Sequence, residues 1–127
     1  MEVYELSEGL RNIPFLVECK YLFHSSRCLG CRFEFDGKIL TYIPDTGICK
    51  NAIELAENAD LLIAECSFKI GQCNVEWQHL NPENIVKIAK EAGAKKIAKQ
   101  IDGLMTYLKS GNWLSDSFLI LFFILID

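Results

Sequence analysis

Hydrophobic and polar positions alternate along residues 15–23, FLVECKYLF, with Phe15, Val17, Cys19, Tyr21 and Phe23 on one face and Glu18 and Lys20 on the other. A period of two predicts a half-buried strand, and His24 stands at its end. The next stretch, CRFEFDGKILTYI, alternates again, Phe33 and Phe35 against Arg32, Glu34 and Asp36. Asp36-Gly37 is a hairpin turn signal, because both residues tolerate the positive φ that a tight turn needs. The second arm of this hairpin, Lys38–Ile43, runs into Asp45 within TYIPDTG. Beyond Thr46-Gly47 the period changes. Ile48, Ala52, Leu55, Ala56 and Ala59 recur at helical spacing and predict a short helix through about Asn58. DLLIAEC at 60–66 is a compact apolar run and reads as a buried strand, with Glu65 at its far end. A polar loop carrying Trp77 and His79 follows. Asn81-Pro82 then opens the best-marked helix, with Ile85, Ile88, Ala89 and Ala92 as its inner stripe and Gly93 as its stop. AKKIAKQI predicts one more strand. The alternation of strands and helices in this half implies parallel pairing with helices packed on the sheet, an α/β class with a mixed sheet.

The last residues change style. FLILFFILI at 118–126 is an unbroken apolar run. It is shorter than the roughly 20 residues a membrane helix needs, so no membrane span is predicted. We therefore divide the chain into a domain over 1–104 and an atypical hydrophobic tail over 105–127, which need not descend from the same ancestral domain.

Composition narrows the class. The 127 residues are 50% hydrophobic and 24% charged, which is globular, and a net charge of −4 disfavours a broad nucleic-acid-binding face. The opening residues, MEVYELSEGLRNIPF, lack a basic segment followed by an apolar one, so a cytoplasmic location is expected. There the six cysteines stay reduced. CLGC at 28–31 is a lone C-x-x-C with no second pair, and reads as small thiols unless Cys28 and Cys31 form a thiol or zinc-binding module.

Four polar residues fall at strand ends or beside a helix start: His24, Asp45, Glu65 and His79. In open α/β sheets such positions converge on one edge, and two imidazoles with two carboxylates suit a borderline metal such as zinc. Each also has an ordinary reading. A histidine beyond a strand is commonly a surface residue, and an aspartate before Thr-Gly commonly makes an Asx-turn. Glu65 is harder to dismiss, because a carboxylate buried on an apolar strand needs a partner.

Taken in order, the residues from His24 to Lys96 resemble the second half of a metallo-β-lactamase-fold hydrolase of the ribonuclease Z-like kind. HSSRCLGCRFEF resembles a metal-ligand histidine followed by a Leu-Gly-aromatic-Arg hairpin. TYIPDTG resembles the strand ending in Gly-Asp-Thr-Gly. ADLLIAECSF resembles the strand carrying His-Glu-Ala-Thr-Phe, and WQHLNPENIVKIAKEAGAKKI the Gly-His segment with its helix. The resemblance implies half of an αββα sandwich, a hairpin followed by βαβαβ. It implies His24 and Asp45 as metal ligands, Asp45 bridging two zinc ions, and Glu65 with His79 as a proton-transfer pair. The departures are as informative. His-x-His-x-Asp-His is missing, and the final ligand histidine is replaced by Gln100 or Ile101, depending on the gap. Pro44 and Gln78 stand where the family has glycine. The expectation is a truncated protein descended from a zinc-dependent phosphodiesterase and inactive by itself. The alternatives are the C-terminal half of a split hydrolase completed by a second chain, and the thiol module. A lone half-sandwich would expose an apolar face and favour such a partner or self-association.

Overall fold

The computed structural model describes residues 5–100 in full, together with the backbone of Ile101, Leu104–Lys109 and Asn112–Leu114. Among the described residues, eight strands form one sheet in chain order: β1 (Gly9–Asn12), β2 (Leu16–Tyr21), β3 (Leu29–Phe35), β4 (Lys38–Ile43), β5 (Leu61–Glu65), β6 (Ile97–Ile101), β7 (Leu104–Lys109) and β8 (Asn112–Leu114). Helices α1 (Lys50–Leu55) and α2 (Pro82–Ala92) follow β4 and β5. β4, β5 and β6 pair in parallel and every other neighbour is antiparallel, so the mixed α/β sheet is a hairpin followed by βαβαβ.

Both helices pack on one face. Ile43, Leu62 and Ala64 of the sheet, Ala52 and Leu55 of α1, and Ile85, Ile88, Ala89 and Ala92 of α2 form a single buried cluster. The opposite face of β2 and β3 carries a second cluster of Val17, Cys19 and Cys31 with Phe15, Leu29 and Phe33 around it. Strand alternation explains the division, since Val17 pairs with Phe33 and Cys19 with Cys31. The other face of β2 is not simply wet. Lys20 reaches α1 and pairs with Glu54 at 2.5 Å.

Helix α1 is shorter than the periodicity suggested. Its terminal carbonyls turn to other partners: Thr41 Oγ1 donates to the Leu55 carbonyl at 2.6 Å, and the Arg32 guanidinium donates to those of Leu55 and Glu57. The chain then passes through Asn58 at φ 53°. Helix α2 has the expected ends. Asn81 accepts from the Asn84 N–H at 2.8 Å, and Gly93 closes it at φ 69°. Strand β1 is fully exposed and was not foreseen, nor were β7 and β8, which lie within or adjoin the segment read as a tail. The apolar run 118–126 lies outside the described residues.

A surface device ties β4 to the start of β5. Asp60 accepts from the Ile39 N–H at 2.9 Å and pairs with Lys95 at 2.7 Å. The Lys95 hydrogen bond, then the Ile39 amide, hold its carboxyl below the ordinary 3.8. A folded-state pKa below the unfolded one means stability present above the unfolded value and lost as pH falls through the folded one. Asp60→Asn should therefore lower the urea midpoint at neutral pH, with the gap from the parent closing as the pH drops below 3.8. A gap that persists undiminished in acid would show that the charge contributes nothing.

Candidate metal centre

Strands β2, β4, β5 and β6 run in one direction, so their C-terminal ends share an edge. His24 follows β2, Asp45 follows β4, Glu65 ends β5 and His79 precedes α2. The fold brings all four together. His24, Asp45 and His79 each present one donor atom, and the three lie within 4.8 Å of one another. His79 Nδ1 is 3.3 Å from Glu65 Oε2 and 3.8 Å from Asp45 Oδ1. The two imidazoles meet edge to face at 5.4 Å between centroids.

The local chain sets these positions. Thr46 is buried and clasps the other loop: its Oγ1 accepts from the Phe23 N–H at 3.1 Å, and the Gly47 N–H donates to the Phe23 carbonyl at 2.8 Å. That places His24 beside Asp45. Ser26 contacts His24 through Nδ1, at 3.0 Å from its Oγ, so Nε2 is the ring atom left for a ligand. Glu65 finds the partners its burial demands. Ser67 Oγ donates to Oε1, while Oε2 faces His79, whose neutral ring then carries its proton on Nδ1. The Phe68 ring stands edge-on to His79 at 5.5 Å.

Sequence reasoning missed Thr46, Ser26, Ser67 and Phe68. Ser67 could have been found, since residues two apart at a strand end share a side. On the neighbouring strand Gln100 pairs with Glu65, and Tyr42 Oη donates to Gln100 Oε1 at 3.4 Å. Gln78, where the resemblance has glycine, keeps a buried Oε1 with no hydrogen-bond partner among the described residues. Cys31 Sγ lies 3.4 Å from Cys19 Sγ across the β2–β3 pair. Burial, then contact with Cys19, pushes the Cys31 thiol up to about 12.

The field at this edge is negative. Burial, then the charges of Asp45 and Glu65, raise the Cys28 thiol above its ordinary value, and burial followed by Asp45 raises the Tyr42 phenol. A cation would offset that field, and His24 and Asp45 offer the imidazole and carboxylate ligands that borderline divalent metals accept, with His79 beside them. The residues present fit such an ion.

Most of the chain resembles known proteins. Residues 10–98 match the family model described as beta-lactamase superfamily domain. The chain is 30% identical over 94 residues to the probable metallo-hydrolase YhfI of Bacillus subtilis, which is 74% of this chain and 38% of that protein. It is 33% identical over 63 residues to ribonuclease Z of Thermobifida fusca, 48% of this chain and 20% of that one. The crystal structure of B. subtilis YhfI superposes with a TM-score of 0.68 at 29% identity, over 77% of this chain and 41% of that one. Human tRNase Z, short form, gives 0.62 at 26% identity over 68% and 36% of the two chains. This chain thus spans well under half the length of each.

Proposed function

The chain belongs to the beta-lactamase superfamily, and we propose that its strand-edge cluster is part of the centre of a zinc-dependent phosphodiesterase that these 127 residues do not complete alone. The observation that carries the reading is the convergence of His24, Asp45 and His79 within 4.8 Å, with Glu65 behind His79. In it, His24 and Asp45 hold the metal. When bound, zinc supplies Lewis acidity and neutralises charge developing on the ester oxygens. Glu65 accepts from His79 Nδ1–H and fixes the ring plane, and the imidazolium form of His79, protonated at both nitrogens, would give its Nε2 proton to the departing oxygen and return to the neutral Nδ1–H ring.

Turnover needs more than this. The sequence contains two histidines, and both are already in the cluster. A second metal would draw its imidazoles from other polypeptide, whether a longer form of this chain or a partner. The sheet face opposite the helices favours a partner reading, a split hydrolase, because it presents Phe33 and the exposed Phe35 beside the Val17–Cys19–Cys31 cluster. The thiol module has less support, since Cys31 faces Cys19 rather than Cys28.

The test is zinc per chain in purified, reduced protein, with bis(p-nitrophenyl) phosphate turnover measured on the same samples. About one zinc per chain is expected, lost in Asp45→Ala, with no turnover by either protein. Metal-free parent protein, or zinc indifferent to Asp45, would overturn the metal assignment. Robust turnover dependent on Asp45 would overturn the claim that these residues need a complement.

A further inference from the structure

We infer that Cys19 and Cys31 are a redox pair, oxidised by peroxide to a cross-strand disulfide that staples β2 to β3 at the stem of the loop carrying His24. The inference goes beyond the proposed function and stands whether or not the site holds a metal. It starts from register. Cys19 lies opposite Cys31 in the antiparallel β2–β3 pair, and the two sulfurs are 3.4 Å apart. The Leu22 N–H donates to the Cys28 carbonyl at 2.9 Å, which extends the ladder one step past Tyr21 and Leu29. Hydrogen-bonded and non-hydrogen-bonded pairs alternate along such a ladder, so Leu22–Cys28 and Lys20–Gly30 are of the first kind and Cys19–Cys31 of the second. Non-hydrogen-bonded partners have Cα atoms about 4.5 Å apart, inside the span that a disulfide bridges. A bond between these sulfurs therefore needs side-chain rotation and little movement of the backbone.

The other thiols are differently placed. Cys49 Sγ faces Thr46 Oγ1 at 3.8 Å and Cys66 Sγ the Phe68 carbonyl at 3.6 Å, while Cys73 is exposed. Cys28 stands opposite Leu22, which packs against the helix-side core, so strand alternation turns it away from Cys31. The C-x-x-C spacing in the sequence therefore pairs the wrong two cysteines, and the sheet pairs Cys31 with one twelve residues away.

Burial selects the oxidant. Cys19 is 2% exposed and Cys31 7%, within the apolar cluster on the face away from the helices. A bulky disulfide does not reach such sulfurs, whereas hydrogen peroxide is uncharged and close to water in size. One sulfur attacks a peroxide oxygen, the O–O bond breaks, and a sulfenic acid forms with release of water. The second sulfur, already 3.4 Å away, attacks the sulfenic sulfur. The S–O bond breaks, and hydroxide leaves as water with the second thiol's proton. Both S–H bonds are lost, one S–S bond forms, and the peroxide is reduced to water. Burial keeps Cys31 protonated, and a thiol with little thiolate character reacts slowly, so the pair answers sustained oxidation rather than a brief pulse. The bridge closes a ring over residues 19–31 with His24 inside it. Such a ring removes conformations from the unfolded chain and so clamps the hairpin.

The test holds the Cys73→Ser protein, which lacks the exposed thiol that would join two chains, in hydrogen peroxide and then blocks free thiols with iodoacetamide. Two thiols should escape blocking, and dithiothreitol should restore them. The bridged form should have a urea midpoint about 1 M above that of the reduced one. Trypsin should release residues 12–20 joined to residues 28–32. The second peptide holds both Cys28 and Cys31, so the digest is repeated with Cys28→Ser added, where the join should persist. Cys31→Ala should abolish it. If Cys31→Ala does not fold, the Cys28→Ser digest decides alone. No bridge after prolonged oxidation, a join lost in Cys28→Ser, a link between other cysteines, or a bridged protein no more stable than the reduced one would each overturn the inference.

Discussion

Leu55→Ala is expected to cost about 3–4 kcal/mol of folding stability, the largest loss among the single substitutions considered. Leu55 is fully buried at the end of α1, and its tip fills a hollow that Gly30 leaves in β3. A Cβ built on Gly30 would stand 2.7 Å from Leu55 Cδ1, 3.1 Å from Leu22 Cδ2 and 3.2 Å from Ile43 Cδ1. Three side-chain ends therefore converge over a residue that has no side chain. Truncating Leu55 opens a void whose floor is backbone and cannot collapse upward, which is the condition that puts such substitutions at the costly end. The same geometry predicts the sign of a second change. Gly30→Ala in the parent crowds Leu55 and should destabilise, whereas in the Leu55→Ala background the added methyl enters the void and should restore stability. Urea unfolding of the four proteins measures the coupling. Additive effects would mean that Leu55 and Gly30 do not share the space described.

The same pair shows what could be read from the chain and what could not. Apolar periodicity placed Leu55 on the inner face of a helix, and the glycine in CLGC stood just before the predicted hairpin. Neither pattern says that the two fill one space, because complementarity of volume between elements distant in sequence leaves no local trace. Helix α2 was legible at both ends, since a capping Asn81, Pro82 and Gly93 each act on backbone groups within a turn. The Asp36-Gly37 turn was legible for the same reason, with both residues at positive φ, 54° and 70°. The end of α1 was not, because Arg32 and Thr41, which receive its last carbonyls, come from the hairpin before it. Strand β1 escaped as well: GLRN has no alternation, and all four residues are exposed, so only pairing with β2 makes it a strand.

The site divides along similar lines. The convergence of His24, Asp45, Glu65 and His79 was foreseeable because a sheet with parallel strands gathers strand-end residues at one edge, and the resemblance supplied their order. The groups that orient them were invisible for the most part. Ser26 and Thr46 act through backbone and ring contacts across loops, and a hydroxyl beside a turn looks the same in sequence whether it faces water or a neighbouring segment. Gln100 is intermediate: its place on a strand was legible, but its pairing with Glu65 comes from the register, which leaves no local trace in the sequence.

Thr46→Val should weaken zinc binding about tenfold or more while leaving every proposed ligand in place, in the range typical of lost outer contacts at metal sites. Thr46 is fully buried, and its hydroxyl makes the bridge between the two ligand-bearing loops. Oγ1 accepts the Phe23 N–H at 3.1 Å and has its own proton for the Gly47 carbonyl at 2.8 Å or the Phe23 carbonyl at 3.2 Å. Valine keeps the shape and removes both functions. The Phe23 N–H then loses its acceptor, at a cost of about 1–3 kcal/mol, and of the hydrogen bonds described between the two loops the Gly47 N–H to the Phe23 carbonyl remains. His24 is free to shift relative to Asp45, and a metal held by few protein ligands is sensitive to the displacement of any one. Thr46→Ser preserves the hydroxyl and should bind zinc as the parent does, which separates loss of the clasp from loss of the methyl. Zinc affinity by competition with a chromophoric chelator, alongside urea unfolding of the metal-free proteins, distinguishes positioning from general stability. Parent-like affinity in Thr46→Val would mean that the two loops hold their ligands independently.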